Sequence, residues 1–240
     1  MACLRPERAY GMVLLQVVPV AAFPTKREHT MIIGIPVYEN VDLLDVTGPY
    51  EMFNWVNQYA PGHDVQIIAE HGGEVTSRDG FTFRTQKRFK DVTQLDVIWV
   101  PGGDPDALKQ LMYGPSRTYL DFLVQQSAKA RIVASVCEGA LLLAAAGLLD
   151  GYEATTHWAF IPCLKQFPEI KVAAGHPRFV HSGNRLTGGG ISSGLDEALK
   201  LIELITTTEI AQKVQQVTQY FPCPPVHGTI PEATTCPLDS

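Results

Sequence analysis

A cysteine, two acids and a histidine stand where this chain could do chemistry. Cys137 follows the apolar run Ile132-Val133-Ala134-Ser135-Val136 and precedes Glu138-Gly139-Ala140, which opens the helix-forming stretch 141–146. That order predicts a strand, a sharp turn and a helix, an arrangement that thrusts the turn residue out over the end of a sheet. A helix N-terminus beside a thiol favours its anion and lowers its pKa, so the chemistry on offer is that of a cysteine nucleophile. A small apolar cysteine packed beneath the sheet fits the local pattern as well. The flanking Gly139 and Ala140 tilt the reading toward the elbow, because a tight strand-to-helix turn needs close backbone approach.

Asp42 and Asp45 lie just past the first strand, where a carboxylate could face the same cleft as Cys137. Asp45 is the better placed as an acid or base, and its alternative is to cap the following helix. Asp42 is read as a cap or a solvated charge. His157, in Ala154-Thr155-Thr156-His157-Trp158, falls at a later strand-to-helix junction, where it could orient or deprotonate a thiol, or serve the structure alone. The other histidines show no His-x-x-x-His spacing, and no metal is assigned. Pro101-Gly102-Gly103 and Gly188-Gly189-Gly190 match neither nucleotide-binding glycine pattern. They suit tight turns, or backbone amides brought up to a reacting atom.

These residues need elements to carry them. From Met31 the pattern alternates strand-like and helix-like: a strand 31–37, a helix 47–57, strands 65–69 and 97–100, a helix 117–129, then the strand into Cys137 and its helix. Such alternation requires crossover connections, and therefore a mostly parallel sheet covered on both faces, with ligands at the carboxyl ends of its strands. Residues 74–89, alternating around Asp79-Gly80, predict a hairpin at the sheet edge, and residues 179–187 repeat the logic; both read as structural. Helices are expected at 194–205 and 208–220, before a loosely ordered tail rich in Pro and Thr.

With 240 residues, 45% of them hydrophobic, the chain can bury one large α/β core. The net charge of −6 and the lack of any basic stripe argue against a nucleic-acid partner. No apolar run reaches the length of a membrane span; 12–23 is interrupted by Gln16 and Pro19 and reads as an extension ahead of the domain. The five cysteines form no Cys-x-x-Cys pair, which predicts neither a disulfide framework nor a zinc site and suits a reducing, cytoplasmic setting. Cys223 and Cys236 are expected to be exposed bystanders. The division expected is an N-terminal extension over 1–30, a domain over 31–222 and a tail over 223–240.

Taken in order, Asp45-Val46-Thr47-Gly48-Pro49, Val100-Pro101-Gly102-Gly103, Val136-Cys137-Glu138-Gly139-Ala140 and Ala154-Thr155-Thr156-His157-Trp158 resemble the ThiJ/PfpI superfamily, within the class I glutamine amidotransferase-like proteins. The likeness runs from about Met31 to Pro225. Residues 144–151 and 187–194 tie it to the isocyanide-hydrating branch. The resemblance implies a flavodoxin-like three-layer sandwich, a homodimer and no cofactor. It also implies a cysteine at Cys137 on a strained elbow, with a carboxylate at Asp45 nearby. On that basis Cys137 would attack an isocyanide carbon, Asp45 would donate and later accept protons, and water would release an N-substituted formamide. Gly102, Gly103, Gly190 and Ile191 would line the pocket with backbone, and His157 would sit behind the reacting groups.

One departure bears on the chemistry. Hydratases of the superfamily carry Thr after the cysteine and its proteases carry His, whereas this chain has Glu138. A carboxylate there would raise the thiol pKa by like-charge repulsion when both are ionised, or hydrogen-bond to the sulfur when protonated. Glu138 could thus alter the substrate or replace the proton donor. Two other functional classes stay open: a thiol redox sensor or ligand-binding module like those fused to regulators, and a glyoxalase- or amidase-like enzyme of the same superfamily.

Overall fold

The computed structural model describes residues 30–239. In chain order the elements are β1 (Met31–Pro36), α1 (Leu43–Val56), β2 (His63–Ala69), β3 (Glu74–Thr76), β4 (Thr82–Arg84), β5 (Lys87–Arg88), β6 (Val97–Val100), α2 (Pro105–Tyr113) and α3 (Thr118–Ser127). They continue with β7 (Ile132–Ser135), α4 (Gly139–Ala145), β8 (Glu153–Ala154), α5 (Ile161–Leu164), β9 (Lys171–Val172), β10 (Phe179–Ser182), β11 (Arg185–Gly188), α6 (Ser193–Ile205) and α7 (Thr208–Val217). Seven strands form one sheet in the order β10-β11-β7-β6-β1-β2-β5, and all pairings are parallel except β10 with β11. Helices α1, α6 and α7 pack together as one group, and α2, α3 and α4 as another. Every residue of β6 and β7 is buried, as expected of strands covered on both faces.

The topology sets the site. From β1 the chain moves outward to β2, then crosses to β6 on the other side of β1 and continues to β7. The order reverses between β1 and β6, and ligands bind at the carboxyl ends of strands flanking such a reversal. Asp42 and Asp45 follow β1, Gly102 follows β6 and Cys137 follows β7. The alternation of patterns thus carried the fold correctly.

Several local expectations need correction. Helix α1 begins at Leu43, ahead of the expected 47, and Pro49 lies within it. Proline has no N–H for the carbonyl four residues back, which is that of Asp45. The Trp99 indole N–H donates to that carbonyl at 2.9 Å instead, so the helix continues with no orphaned acceptor. Helix α2 was missed, although Asp104 accepts from the Asp106 N–H at 2.9 Å as its cap and Pro105 opens it. The β3–β4 hairpin forms its own two-stranded sheet, and β5 is the edge of the main one. Its turn docks on the loop after β1, the Arg78 N–H donating to the Val41 carbonyl at 3.1 Å.

The cysteine reading also changes. Cys163 is bonded to Cys236, and Cys236 is buried, not an exposed bystander. Local spacing could not reveal a pair separated by 73 residues. Cys223 is exposed as expected, while Cys3 and the extension expected before Met31 lie outside the described residues, apart from Thr30. The tail has little regular structure, yet its end is fastened: Leu238 packs against the core and the Gln166 amide donates to Asp239 at 3.0 and 3.3 Å.

Candidate active site

Cys137 adopts φ 56°, in the left-handed region where a side-chain-bearing residue is strained. The surrounding bonds impose it. The Cys137 N–H donates to the Gly189 carbonyl at 2.9 Å, and the Cys137 carbonyl accepts from the Thr156 hydroxyl at 2.8 Å. Gly139 leaves room for the close crossing, since a Cβ there would run into the Val100 and Pro101 backbone. This is a nucleophile elbow, held by the strands and loops on either side.

The thiol is enclosed by acids. Ligand atoms of Asp42, Asp45, Cys137 and Glu138 all lie within 4.8 Å of one another, as do those of Cys137, Glu138 and His157. The Ile191 N–H donates to the sulfur at 3.5 Å, and the thiol points to Asp42 Oδ2 at 3.9 Å. Asp45 is wholly buried; its Oδ2 accepts from the Gly102 N–H at 2.9 Å, while Oδ1 has no geometric hydrogen bond. Asp45 lies inside the first turn of α1 and is no N-cap; Asp42 holds the cap position without a capping bond from its side chain. That side chain is committed elsewhere, accepting from Arg78 Nη1 at 3.1 Å.

Burial governs the protonation states. Desolvation pushes Asp45 well above the usual carboxylate range, with further upward pressure from Glu138 and Asp42. Glu138 rises to about 7, chiefly by desolvation. The Cys137 thiol is also pushed well up, by burial and then by Asp45 and Glu138, against a smaller lowering from the Ile191 amide. The expectation that the helix N-terminus would lower this pKa is therefore reversed. Partial charges at a helix end do not offset a dry pocket shared with carboxylates.

His157 is close to this group without pairing with it. Its Nδ1 is 3.9 Å from Glu138 Oε1, but the same nitrogen accepts from the Ala159 N–H at 3.3 Å, and burial lowers its pKa. Both features favour the neutral imidazole with Nδ1 as the acceptor, and at 3.9 Å the ring makes no hydrogen bond to Glu138. The ring also packs against Gly190, where a Cβ would collide with it. Of the four backbone positions expected around the thiol, Gly102 serves Asp45 and approaches Glu138 and Cys137, Gly190 seats His157, and Ile191 reaches the sulfur. Gly103 instead abuts Tyr38 and bridges to Val41.

Beside the thiol opens a cavity of about 330 Å³, lined by His157, Trp158, Pro177, Gly190, Ile191 and Ile230 among others. Cys137 is fully buried and does not line it; Ile191 and His157, which do, are the residues next to the sulfur. Arg78 and Glu197 were missed in the sequence. Arg78 acts across a hairpin, 36 residues from Asp42, and nothing local signals it. Glu197 is fully buried in α6 and burial raises its pKa well up; its place on the apolar stripe with Ala198 and Leu201 was the available signal.

The open parallel sheet with a cysteine on a strained turn, facing buried carboxyl groups at the strand ends, defines an α/β protein of the flavodoxin-like kind with a nucleophile elbow. The chain belongs to the DJ-1/PfpI family, whose model matches residues 31–204. It is 40% identical over 200 residues to the isonitrile hydratase of Pseudomonas putida, covering 83% of each chain. A ThiJ/PfpI family protein from Pseudomonas syringae matches its structure with a TM-score of 0.74 at 31% identity, over 82% of this chain and 77% of that one. The transcriptional regulator GbdR of Pseudomonas aeruginosa is 25% identical over 201 residues; this chain spans 53% of its length.

Proposed function

We propose that the protein is a hydro-lyase of the isocyanide hydratase type, converting an isocyanide and water to an N-substituted formamide. The observation that carries the reading is the grouping of Cys137 and Glu138 of the elbow with Asp45 of α1, in a chain that aligns with a hydratase over most of both lengths. Asp45, held protonated by burial, is the acid; Glu138, near 7, is the group that exchanges the thiol proton.

Glu138 takes the Cys137 proton as the sulfur attacks the terminal carbon, and Asp45 delivers a proton to that carbon, giving a thioimidate. Water then adds to the carbon while Asp45 carboxylate takes one of its protons and the Glu138 carboxyl protonates nitrogen. Collapse of the tetrahedral species breaks the C–S bond, frees the formamide and returns the hydroxyl proton to the thiolate through Glu138. Protons balance over the cycle, with no cofactor or metal in any step. His157 packs against Gly190 and stands beside Glu138 without exchanging protons.

The test is formamide production from cyclohexyl isocyanide by the purified protein beside Cys137→Ala and Asp45→Asn. Loss of turnover in both, with folding intact, is expected; a folded wild-type protein that makes no formamide would overturn the reading. A small-molecule substrate, a homodimer, the division at residues 30 and 222, and a cytoplasmic location belong to the same proposal. The last has lost its original support, since the Cys163–Cys236 bond is unusual in a reducing compartment. Light scattering tests the dimer.

A further inference from the structure

Two cavities meet under the C-terminal segment. The 330 Å³ cavity beside the thiol and a second of about 410 Å³, which Lys165 and Glu232 help to line, share only Ile230 and His176. Apart from Ile230, every residue lining the first cavity falls between Thr156 and Ser193. Ile230 thus reaches the site from a part of the chain that contributes nothing else to it. With Trp158, Pro177 and Ile191 it supplies the apolar wall.

Ile230 lies in chain without regular structure, so its position depends on what holds the segment down. Six residues beyond it, Cys236 is bonded to Cys163 of α5, backed by Leu238 against the core and Asp239 on Gln166. Helix α5 continues directly from the turn Trp158–Phe160 that follows His157. The bond therefore fastens the strap to the same stretch of chain that lines the cavity at His157 and Trp158.

We propose that residues 223–239 form a strap, held by the Cys163–Cys236 bond, in which Ile230 is a specificity-determining wall for the apolar substituent of the substrate. The proposal rests on the cavity being the isocyanide pocket. The substituent of a simple alkyl isocyanide offers no hydrogen-bond donor, so its size can be sensed only by apolar surface, and each methylene so sensed is worth about 10-fold or more in selectivity.

Methyl and cyclohexyl isocyanide, assayed with the wild type, Ile230→Ala, Ile230→Trp and the double variant Cys163→Ser/Cys236→Ser, provide the test. Ile230→Ala should raise KM for the cyclohexyl compound about 10-fold relative to the methyl compound, with the change in KM and not in kcat. Ile230→Trp should lose cyclohexyl turnover before methyl turnover, and the double variant should follow Ile230→Ala. A selectivity ratio unchanged in both Ile230 variants overturns the proposal. If the wild type hydrates neither compound, the hydratase reading falls, and the strap is then read separately by alkylating Cys137 with iodoacetamide and with N-cyclohexyl iodoacetamide, following the Cys137 peptide by mass. A shift in that ratio on changing Ile230 supports the strap; an unchanged ratio, or a thiol that neither reagent reaches, overturns it.

Discussion

At Cys137 the backbone turns the residue toward the strand ends while its buried surroundings hold the thiol neutral. The strained φ aims the sulfur at the strand ends, yet desolvation and the neighbouring acids keep the proton on it. In the proposed mechanism a base with a matched pKa resolves the conflict, and Glu138 at about 7 fits that part. Because its carboxylate accepts the thiol proton, kcat/KM should rise as pH increases through about 7; Glu138→Gln should lose that inflection and most of the rate. Stability runs the other way. The folded-state pKa is raised above the ordinary 4.5, so the favourable contribution is full below pH 4.5 and is lost as pH rises toward 7. The difference amounts to about 3 kcal/mol. Urea unfolding at pH 5 and pH 8 should show Glu138→Gln gaining stability relative to the wild type at the higher pH; equal shifts at both would show that Glu138 is not titrating there. Cys137 and Asp45 were legible because each stands in a local strand-turn-helix pattern. The thiol pKa was legible only in part: Glu138 is the next residue and its upward pressure could be read, whereas burial and the approach of Asp45 from α1 could not.

The elements place these groups through a few backbone exceptions. Pro49 frees the Asp45 carbonyl, and Trp99 of β6 takes it, which ties the acid's residue to the strand whose following Gly102 amide binds its carboxyl. Asp45 is thus held from both its backbone and its side chain by one strand and the turn after it. Gly139 plays the matching part for the elbow, where a methyl group would meet the Val100 and Pro101 carbonyls. Backbone cannot swing aside as a side-chain tip can, so Gly139→Ala should cost about 1–3 kcal/mol in stability. It should also reduce kcat by about 100-fold through displacement of the sulfur, with KM affected less. Thermal unfolding and steady-state kinetics check both, and an alanine variant with wild-type kcat would show that the elbow tolerates the shift. Sequence pattern located β6 and β7 because their apolar runs are continuous, as doubly covered strands require. It placed the start of α1 at 47 and not at Leu43, and only the distant Trp99 explains how the helix passes through Pro49.

For the molecule as a whole, alternating strands and helices were enough to foresee the parallel sheet and the end of it where the site lies. The closure of the chain on itself was not foreseeable. Cys163 sits in a short helix and Cys236 in a Pro- and Thr-rich tail, and neither context marks a partner 73 residues away. Closing a loop of that size removes conformational freedom from the unfolded chain, and chain-entropy reasoning gives an upper value of about 4 kcal/mol for its effect. Cys163→Ser/Cys236→Ser should therefore unfold at lower temperature than the oxidised wild type, and reductant should lower the wild type by more than it lowers the variant. Thiol titration in denaturant should find at least two fewer free thiols before reduction than after it, and the difference should fall by two in the double variant. Equal counts would remove the bond, and with it the fastening of the strap; a bond present without any thermal effect would mean that Leu238 and the Gln166–Asp239 contact hold the tail by themselves. The thermal shift reports the unfolded chain and the selectivity ratio reports the folded pocket, so one variant separates the stabilising role of the bond from its role in recognition.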